Sequence, residues 1–268
     1  MAKKYYVAVD LEGLACVVGA AGQGLLGSPD YEFARREGTK ETNAAVAALF
    51  DCGADEVIVW DCHGTGWNLL HENLDKRVRI AMGAGSGKRF PGLDGSFSGV
   101  LFIGYHAFDA PNAVLSHVYS SSAYAGMRVD GKPVGELQLD AAVAGKYGVP
   151  VLFVSSDDVC VAQAKASFPD AGFVITKQSL AWNSCVSRHP DAVCEEIGKT
   201  VRELLKDGKN PGTVYRIEGP FTMEVRYKRL EGAQNSRLTD RDGRPFDRPD
   251  PYVRSGLLED VEDLFRYI

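Results

Sequence analysis

The sequence predicts an α/β fold: a three-layer core around a mostly parallel sheet, plus a smaller carboxyl-terminal α+β lobe. Three observations carry this. Short apolar runs alternate with helical patterns along most of the chain, three of those runs end in acidic or histidine residues, and the alternation stops near residue 210. At 268 residues the chain is long for one domain and short for two full ones. We therefore expect an α/β core over 1–210 that carries any chemistry, and a lobe over 211–268 serving substrate access or oligomer contacts.

Residues 5–9 form an apolar run ending at Asp10, which suits a buried strand delivering a carboxylate to the sheet's carboxyl edge. Residues 31–50 follow a helical pattern with Ala45, Val46, Leu49 and Phe50 on one stripe, stopped by Cys52-Gly53. Strand 56–60 runs into Asp61-Cys62-His63-Gly64, and the apolar run 100–103 into Gly104-Tyr105-His106. A turn at Asp130-Gly131 precedes a helix over 135–146 with Glu136 in its first turn. Strand 149–155 ends near Asp157-Asp158, followed by helix 159–167, strand 172–176 and an amphipathic helix over 189–206. Asn210-Pro211-Gly212 breaks the chain. Beyond it we expect strands at 213–217 and 221–228 and a polar loop over 231–254. A terminal helix then places Leu257, Leu258, Val261, Leu264, Phe265 and Ile268 on one face.

Composition narrows the function classes. Hydrophobic residues at 45% and charged residues at 25% are ordinary globular proportions and speak against disorder. A net charge of −6 speaks against a nucleic-acid partner, which would need clustered Lys and Arg. The amino terminus has no signal-peptide core and no run approaches the ~18 apolar residues of a membrane span, so a cytoplasmic protein without a membrane partner is expected. Six cysteines without a C-x-x-C pair exclude a zinc knuckle and read as reduced, mostly buried thiols. The stretch from Gly83 to Arg89 imitates a phosphate loop, but its leading glycine is one position too close and Arg89 replaces the hydroxyl residue, so it reads as a flexible loop. In the carboxyl-terminal loop Arg237, Arg241, Arg244, Arg248 and Arg254 alternate with Asp240, Asp242, Asp247 and Asp250, whose charges largely cancel them.

The candidate chemistry lies at the strand ends. Asp10-x-Glu12 puts two carboxylates at alternate positions of an extended segment, pointing the same way. Alone, this motif more often caps a turn. His63, His106 and Glu136 at the same sheet edge change the balance. Asp10, Glu12 and Glu136 contribute three negative charges, which two divalent ions with a bridging hydroxide neutralise better than one ion does. Carboxylate and imidazole ligands suit zinc. His117 is a candidate acid-base group or oxyanion stabiliser, whereas His71 and His189 read as surface residues.

These residues carry a resemblance. Asp10-x-Glu12-Gly13, Asp61-x-His63, Gly104-Tyr105-His106-Ala107, Ser116-His117, Pro133-Val134-Gly135-Glu136 and Asp157-Asp158 resemble, in order and spacing, the dinuclear zinc D-aminopeptidases of the DppA type, associated with dipeptide transport. The resemblance runs from Tyr5 to Gln178. It implies that Asp10 bridges two zinc ions, that Glu12 and His63 complete one site and His106 and Glu136 the other, and that His117 assists catalysis. It implies hydrolysis of short peptides with an amino-terminal D-residue, such as D-Ala-D-Ala, by metal-activated hydroxide. A ring-shaped homo-oligomer follows too, in the form of a decamer of stacked pentamers. Asp61 is expected to orient His63. Asp157 or Asp158 is a candidate for the substrate's amino group, with helix capping as the equal alternative, and Lys177 for its carboxylate. The sequence departs from the pattern at Trp60, Cys62, Val118 and Ser156, which bears on substrate preference. The alternatives are a two-metal amidohydrolase for an L-peptide, γ-glutamyl or other small amide, and a non-catalytic peptide- or metal-binding protein.

Overall fold

The computed structural model describes residues 2–207 and 212–266. Asn210, Pro211 and Ile268, with the chain break and the last position of the expected terminal helix, lie outside the described residues. The chain opens with β1 (Lys4–Val9), α1 (Tyr31–Asp51), β2 (Glu56–Asp61), β3 (Arg79–Ala81) and β4 (Gly99–Ile103). A hairpin, β5 (Tyr124–Val129) and β6 (Lys132–Val134), precedes α2 (Glu136–Lys146), β7 (Val151–Ser156), α3 (Asp158–Ser167) and β8 (Gly172–Ile175). A second hairpin, β9 (Lys177–Ala181) and β10 (Ser184–Ser187), leads to α4 (Pro190–Leu205). Then come β11 (Phe221–Tyr227), α5 (Leu230–Gln234), β12 (Asp247–Asp250), β13 (Val253–Leu258) and a 3-10 segment, Val261–Arg266.

Six strands form one parallel sheet in the order β3-β2-β1-β4-β7-β8. Strand order reverses between β1 and β4. In open parallel sheets the crevice beyond the carboxyl ends at such a reversal is where ligands bind. Along β1 the side chains alternate: Tyr5, Val7 and Val9 join the core layer that includes Ala45, Leu49 and Ile197, and Tyr6 and Ala8 join the opposite layer with Leu137, Val143 and Met223. Helices α1 and α4 thus cover one face. Helix α2 and an antiparallel sheet, β12-β13-β11-β5-β6, cover the other.

That second sheet joins β5 and β6, which precede residue 210, to strands that follow it, so the expected division into 1–210 and 211–268 does not separate two packed units. The expected terminal helix is also different. Leu257 and Leu258 lie in β13, opposite Thr222 and Phe221 of β11, and only Val261, Leu264 and Phe265 wind into a 3-10 turn. A short apolar run fits either period, and pairing with β11 decided it. Over 213–217 there is no strand, only a bridge from Thr213 to Val151. The expected loop over 231–254 contains α5 and β12. Cysteines are less buried than expected: Cys160 is buried, Cys16 is exposed, and the other four are intermediate. Among the described residues no helix is long and apolar enough to cross a membrane.

Helix α1 buries two carboxylates, Glu37 and Glu41, on its inward side. Glu41 Oε1 accepts from the Ala15 amide at 2.9 Å, whereas its Oε2 is buried with no hydrogen-bond partner. Burial pushes this carboxyl up to about 8 against the pull of the Ala15 amide. The folded state therefore keeps a proton that the unfolded chain releases near 4.5, and stability falls as pH rises between these values. Glu41→Gln should flatten that fall. Urea midpoints of the parent and the variant, measured at about pH 5 and about pH 8, should differ more at the higher pH, in favour of the variant. Equal differences at both pH values would contradict the assignment.

Candidate metal centre

Two loops carry the site, and they touch backbone to backbone. Beyond β1 the Asp10 amide donates to Ile103 O at 2.8 Å and the Gly13 amide to Gly104 O at 2.7 Å. A Cβ on Gly13 would lie 1.9 Å from Tyr105 O, and one on Gly104, whose φ is +72°, would lie 2.2 Å from Asp10 O. Only glycine allows this approach. It brings Asp10 and Glu12 alongside His106, while the loop after β2 adds His63 and the first turn of α2 adds Glu136.

The five residues expected as ligands converge. Asp10 turns its oxygens to different imidazoles: Oδ1 is 2.9 Å from His63 Nδ1 and Oδ2 is 3.6 Å from His106 Nε2. Glu12 Oε2 lies 3.1 Å from His63 Nδ1, and Glu136 Oε1 lies 3.0 Å from His106 Nε2. Ligand atoms of Asp10, Glu12 and His106 lie within 4.8 Å of one another, as do those of His106, His117 and Glu136. The His117 ring stacks on His106 with centroids 3.9 Å apart, and its Nε2 is 3.8 Å from Glu136 Oε1. The Tyr119 amide donates to Glu136 Oε1, which faces the positive end of α2.

Electrostatics at this centre report surplus negative charge. Burial, reinforced by Glu12, raises the Asp10 carboxyl to about 7. Burial also opposes ionisation of Glu12, but His63 outweighs it and holds Glu12 well below the usual carboxylate range. Burial pulls down the His106 imidazolium, yet Glu136, with Asp10 and Glu12, pushes it to about 10. Protons are thus held where cations would sit.

Hydrogen bonding gives an independent test of whether a metal fits. The nitrogen of His106 away from the cluster, Nδ1, is 3.0 Å from Ala107 O and must donate to it, so Nε2, which faces two carboxylates, either holds the second proton of an imidazolium or turns a lone pair to a cation. Glu12 Oε2 is buried and must share the single proton of His63 Nδ1 with Asp10 Oδ1, and His63 Nε2 is buried without a hydrogen-bond partner. Carboxylate oxygens and imidazole nitrogens facing one another across 2.9–3.6 Å, with more acceptors than protons to join them, are what divalent cations would satisfy.

The other expected site residues play different parts. Asp61 does not bond the His63 ring. It accepts from the amides of Asn68 and Leu69 and from Asn68 Nδ2, and that same amide group donates to His63 O, so Asp61 shapes the loop rather than the imidazole. Asp157 caps α3 through the amides of Val159 and Cys160, and Asp158 accepts from the Ser179 amide. Lys177 is fully buried, with its ammonium on the carbonyls of Glu12, Leu14 and Val17, and so cannot receive a substrate carboxylate. His189 is the exposed cap of α4, whereas His71 is half-buried, edge-on to Trp67.

The centre opens into a cavity of about 490 Å³ lined also by Leu25, Trp60, Arg89, Tyr119 and Phe265. Sequence reasoning missed Arg89. Far from being a loose loop residue, it makes a two-pronged ion pair with Asp140, at 2.8 and 2.5 Å, and its guanidinium lies 4.4 Å from the Trp60 ring centroid. Asp140 also accepts from Tyr105 Oη at 2.6 Å. The spacing from Glu136 to Asp140, one helical turn, was a readable signal of two carboxylates on one face.

Comparison with known proteins bears on this arrangement. A profile of the M55 peptidase family, described as D-aminopeptidase, matches residues 3–244. A D-aminopeptidase of Bacillus subtilis (strain 168) is 37% identical over 186 residues, which is 66% of this chain and 65% of that protein, so the chain matches just under two thirds of its relative's length. The solved structure of a Zn-dependent D-aminopeptidase, DppA from Bacillus subtilis, a self-compartmentalizing protease, superposes with a TM-score of 0.86 at 26% identity, covering 98% of this chain and 94% of that one. Similarity thus continues beyond Gln178, where the sequence motifs fade.

The contact between the two loops generates a prediction. Gly13→Ala should destabilise the chain by roughly 3 kcal/mol, because backbone rather than a flexible side chain must yield. The urea midpoint measures it, and an unchanged midpoint would show that the loops do not meet as described.

Proposed function

We propose that this chain, which belongs to the M55 peptidase family, is a zinc-dependent aminopeptidase that releases the amino-terminal residue, of D configuration, from short peptides. The observation that carries the reading is the divergence of the two Asp10 oxygens toward separate imidazoles, His63 and His106, each of which also faces a second carboxylate. In this reading Asp10, Glu12, His63, His106 and Glu136 would hold the metal, with Glu12 and His63 on one side of Asp10 and His106 and Glu136 on the other. Zinc, when bound, polarises the scissile carbonyl and makes water a stronger acid. The D preference and the metal identity draw support from the relatives described as D-aminopeptidase and Zn-dependent.

His117 is the acid-base group of the proposal. Its Nδ1 lies 2.7 Å from Leu115 O and must donate to it, so Nε2 carries the lone pair. Burial and the adjacent His106 hold the imidazolium below its ordinary range, and the ring is neutral at neutral pH. An acceptor nitrogen suits a base, not an oxyanion donor. As the water oxygen adds to the amide carbon, Nε2 takes the water's proton, then returns it to the leaving nitrogen as the carbon–nitrogen bond breaks. A free amino acid and a shortened peptide result.

A cavity of about 490 Å³ suits a di- or tripeptide. Trp60, Leu25 and Phe265 offer apolar wall for side chains. We extend the proposal to a cytoplasmic, ring-shaped homo-oligomer, by analogy with the self-compartmentalizing relative.

Purified protein should bind about two equivalents of zinc, and chelation should abolish release of D-alanine from D-Ala-D-Ala while L-Ala-L-Ala stays a poor substrate. Asp10→Ala should lose both ions together. Activity that survives chelation, or that prefers the L-dipeptide, would overturn the reading. His117→Ala should keep its zinc and lose roughly 10²–10⁴-fold in kcat, and undiminished turnover in the metal-loaded variant would remove His117 from the reaction.

A further inference from the structure

The segment that delivers Asp10 and Glu12 has an unusual problem to solve. Residues 10–15 and 17 are buried, yet beyond β1 they belong to no strand or helix. Buried backbone outside a ladder leaves its amides and carbonyls in need of partners. The amides are met locally: Gly13 by Gly104 O, Ala15 by Glu41 Oε1 and Cys16 by Ser187 Oγ at 2.7 Å. The carbonyls converge on one place. Lys177 Nζ donates to Glu12 O at 2.5 Å, Leu14 O at 2.8 Å and Val17 O at 2.5 Å, and Thr176 Oγ1 donates to Gly13 O at 2.6 Å.

An ammonium has three N–H bonds, and here all three are spent on three carbonyls. Among the described residues Lys177 forms no ion pair with a carboxylate, and it is 0% exposed. Burying such a charge is costly unless its geometry is fully satisfied. A lysine used merely to fill core volume would be replaced by methionine without loss. Lys177 instead stands at the start of β9, 160 to 165 residues from the carbonyls it holds.

We infer that Lys177, seconded by Thr176, is a positioning residue, whose bonds to the carbonyls of residues 12–17 fix the arm bearing Glu12 and so set the aim of the Asp10–Glu12 carboxylate pair. This rests on the reading of that pair as zinc ligands. Lys177 touches neither substrate nor metal in this role. It acts through the backbone of Glu12, as an outer hydrogen bond orients a ligand.

Two substitutions test it. Lys177→Met keeps the stem and removes every donor, and Thr176→Val removes only the bond to Gly13 O. Zinc affinity is read by competition with a chromogenic chelator, and amide exchange over residues 11–17 by mass spectrometry. In folded Lys177→Met, affinity for at least one zinc should fall roughly 10–100-fold, with faster exchange in the segment and lower kcat in zinc-saturated protein. Thr176→Val should show the same effects a few-fold. A folded Lys177→Met with parental zinc affinity and protected amides overturns the inference, whatever its melting temperature. Should that variant fail to fold, Thr176→Val decides alone by the same readouts. A parent protein that binds no zinc would instead sink the metal reading, and amide exchange would still show whether Lys177 holds the segment.

Discussion

Three carboxylates held together in a buried crevice are the constraint around which this molecule is arranged. Asp10, Glu12 and Glu136 form ion pairs only with histidines among the described residues, and no lysine or arginine neutralises them. Like charges this close, taken out of water, repel with an energy no surface arrangement would match. The fold tolerates them because each is fixed by separate machinery: β1 and its following loop for two, the first turn of α2 for the third. What the concentration offers is affinity for cations.

Fixing them imposes the sheet topology. Asp10 and His106 follow β1 and β4, the adjacent strands at which strand order reverses, where a crevice opens beyond the carboxyl ends of the sheet. The backbones of the two loops then meet at Gly13 and Gly104, where no side chain fits. Trp60, Val118 and Ser156, departures from the family pattern, sit in places that leave this arrangement intact. Trp60 backs Arg89, Val118 is core, and the Ser156 hydroxyl donates to Tyr105 O beside the same contact.

The five converging residues were legible in the sequence because each follows a strong local signal: an apolar run ending in a polar residue, or a helix opening with glutamate. The parallel core was legible for the same reason. The antiparallel sheet was not, although a strand over 221–228 was expected, because β5 is a partly exposed strand whose partner β11 lies about a hundred residues away, and β6 pairs only with β5. Among polar residues, sequence spacing placed Lys177, Asp157 and Asp61 near the chemistry but gave no direction for their side chains. Lys177 turns inward to carbonyls, Asp157 to a helix end and Asp61 to a loop. Such residues look alike in sequence whether they meet a substrate or a backbone, since both offer the same hydrogen-bonding groups.

Asp140 shows how the two layers communicate. It lies one turn beyond Glu136 on α2 and is fully buried, with Arg89 on one side and the Tyr105 hydroxyl on the other. Tyr105 adjoins His106 in the chain, and Arg89 closes the cavity wall against Trp60 and Tyr119. One carboxylate therefore ties the helix that carries Glu136 to the strand end that carries His106 and to the wall. Breaking a buried pair of this kind by removing one partner costs about 3–5 kcal/mol, far more than holding a flexible loop in place would require. Ahead of Arg89 in the same stretch, the Gly83 amide donates to Gly66 O and the Ala84 amide to Thr65 O, which ties the wall to the loop that carries His63. The stretch is thus held at one end to the His63 loop and at the other, through Arg89 and Asp140, to the helix that carries Glu136, so that wall and carboxylates share one framework.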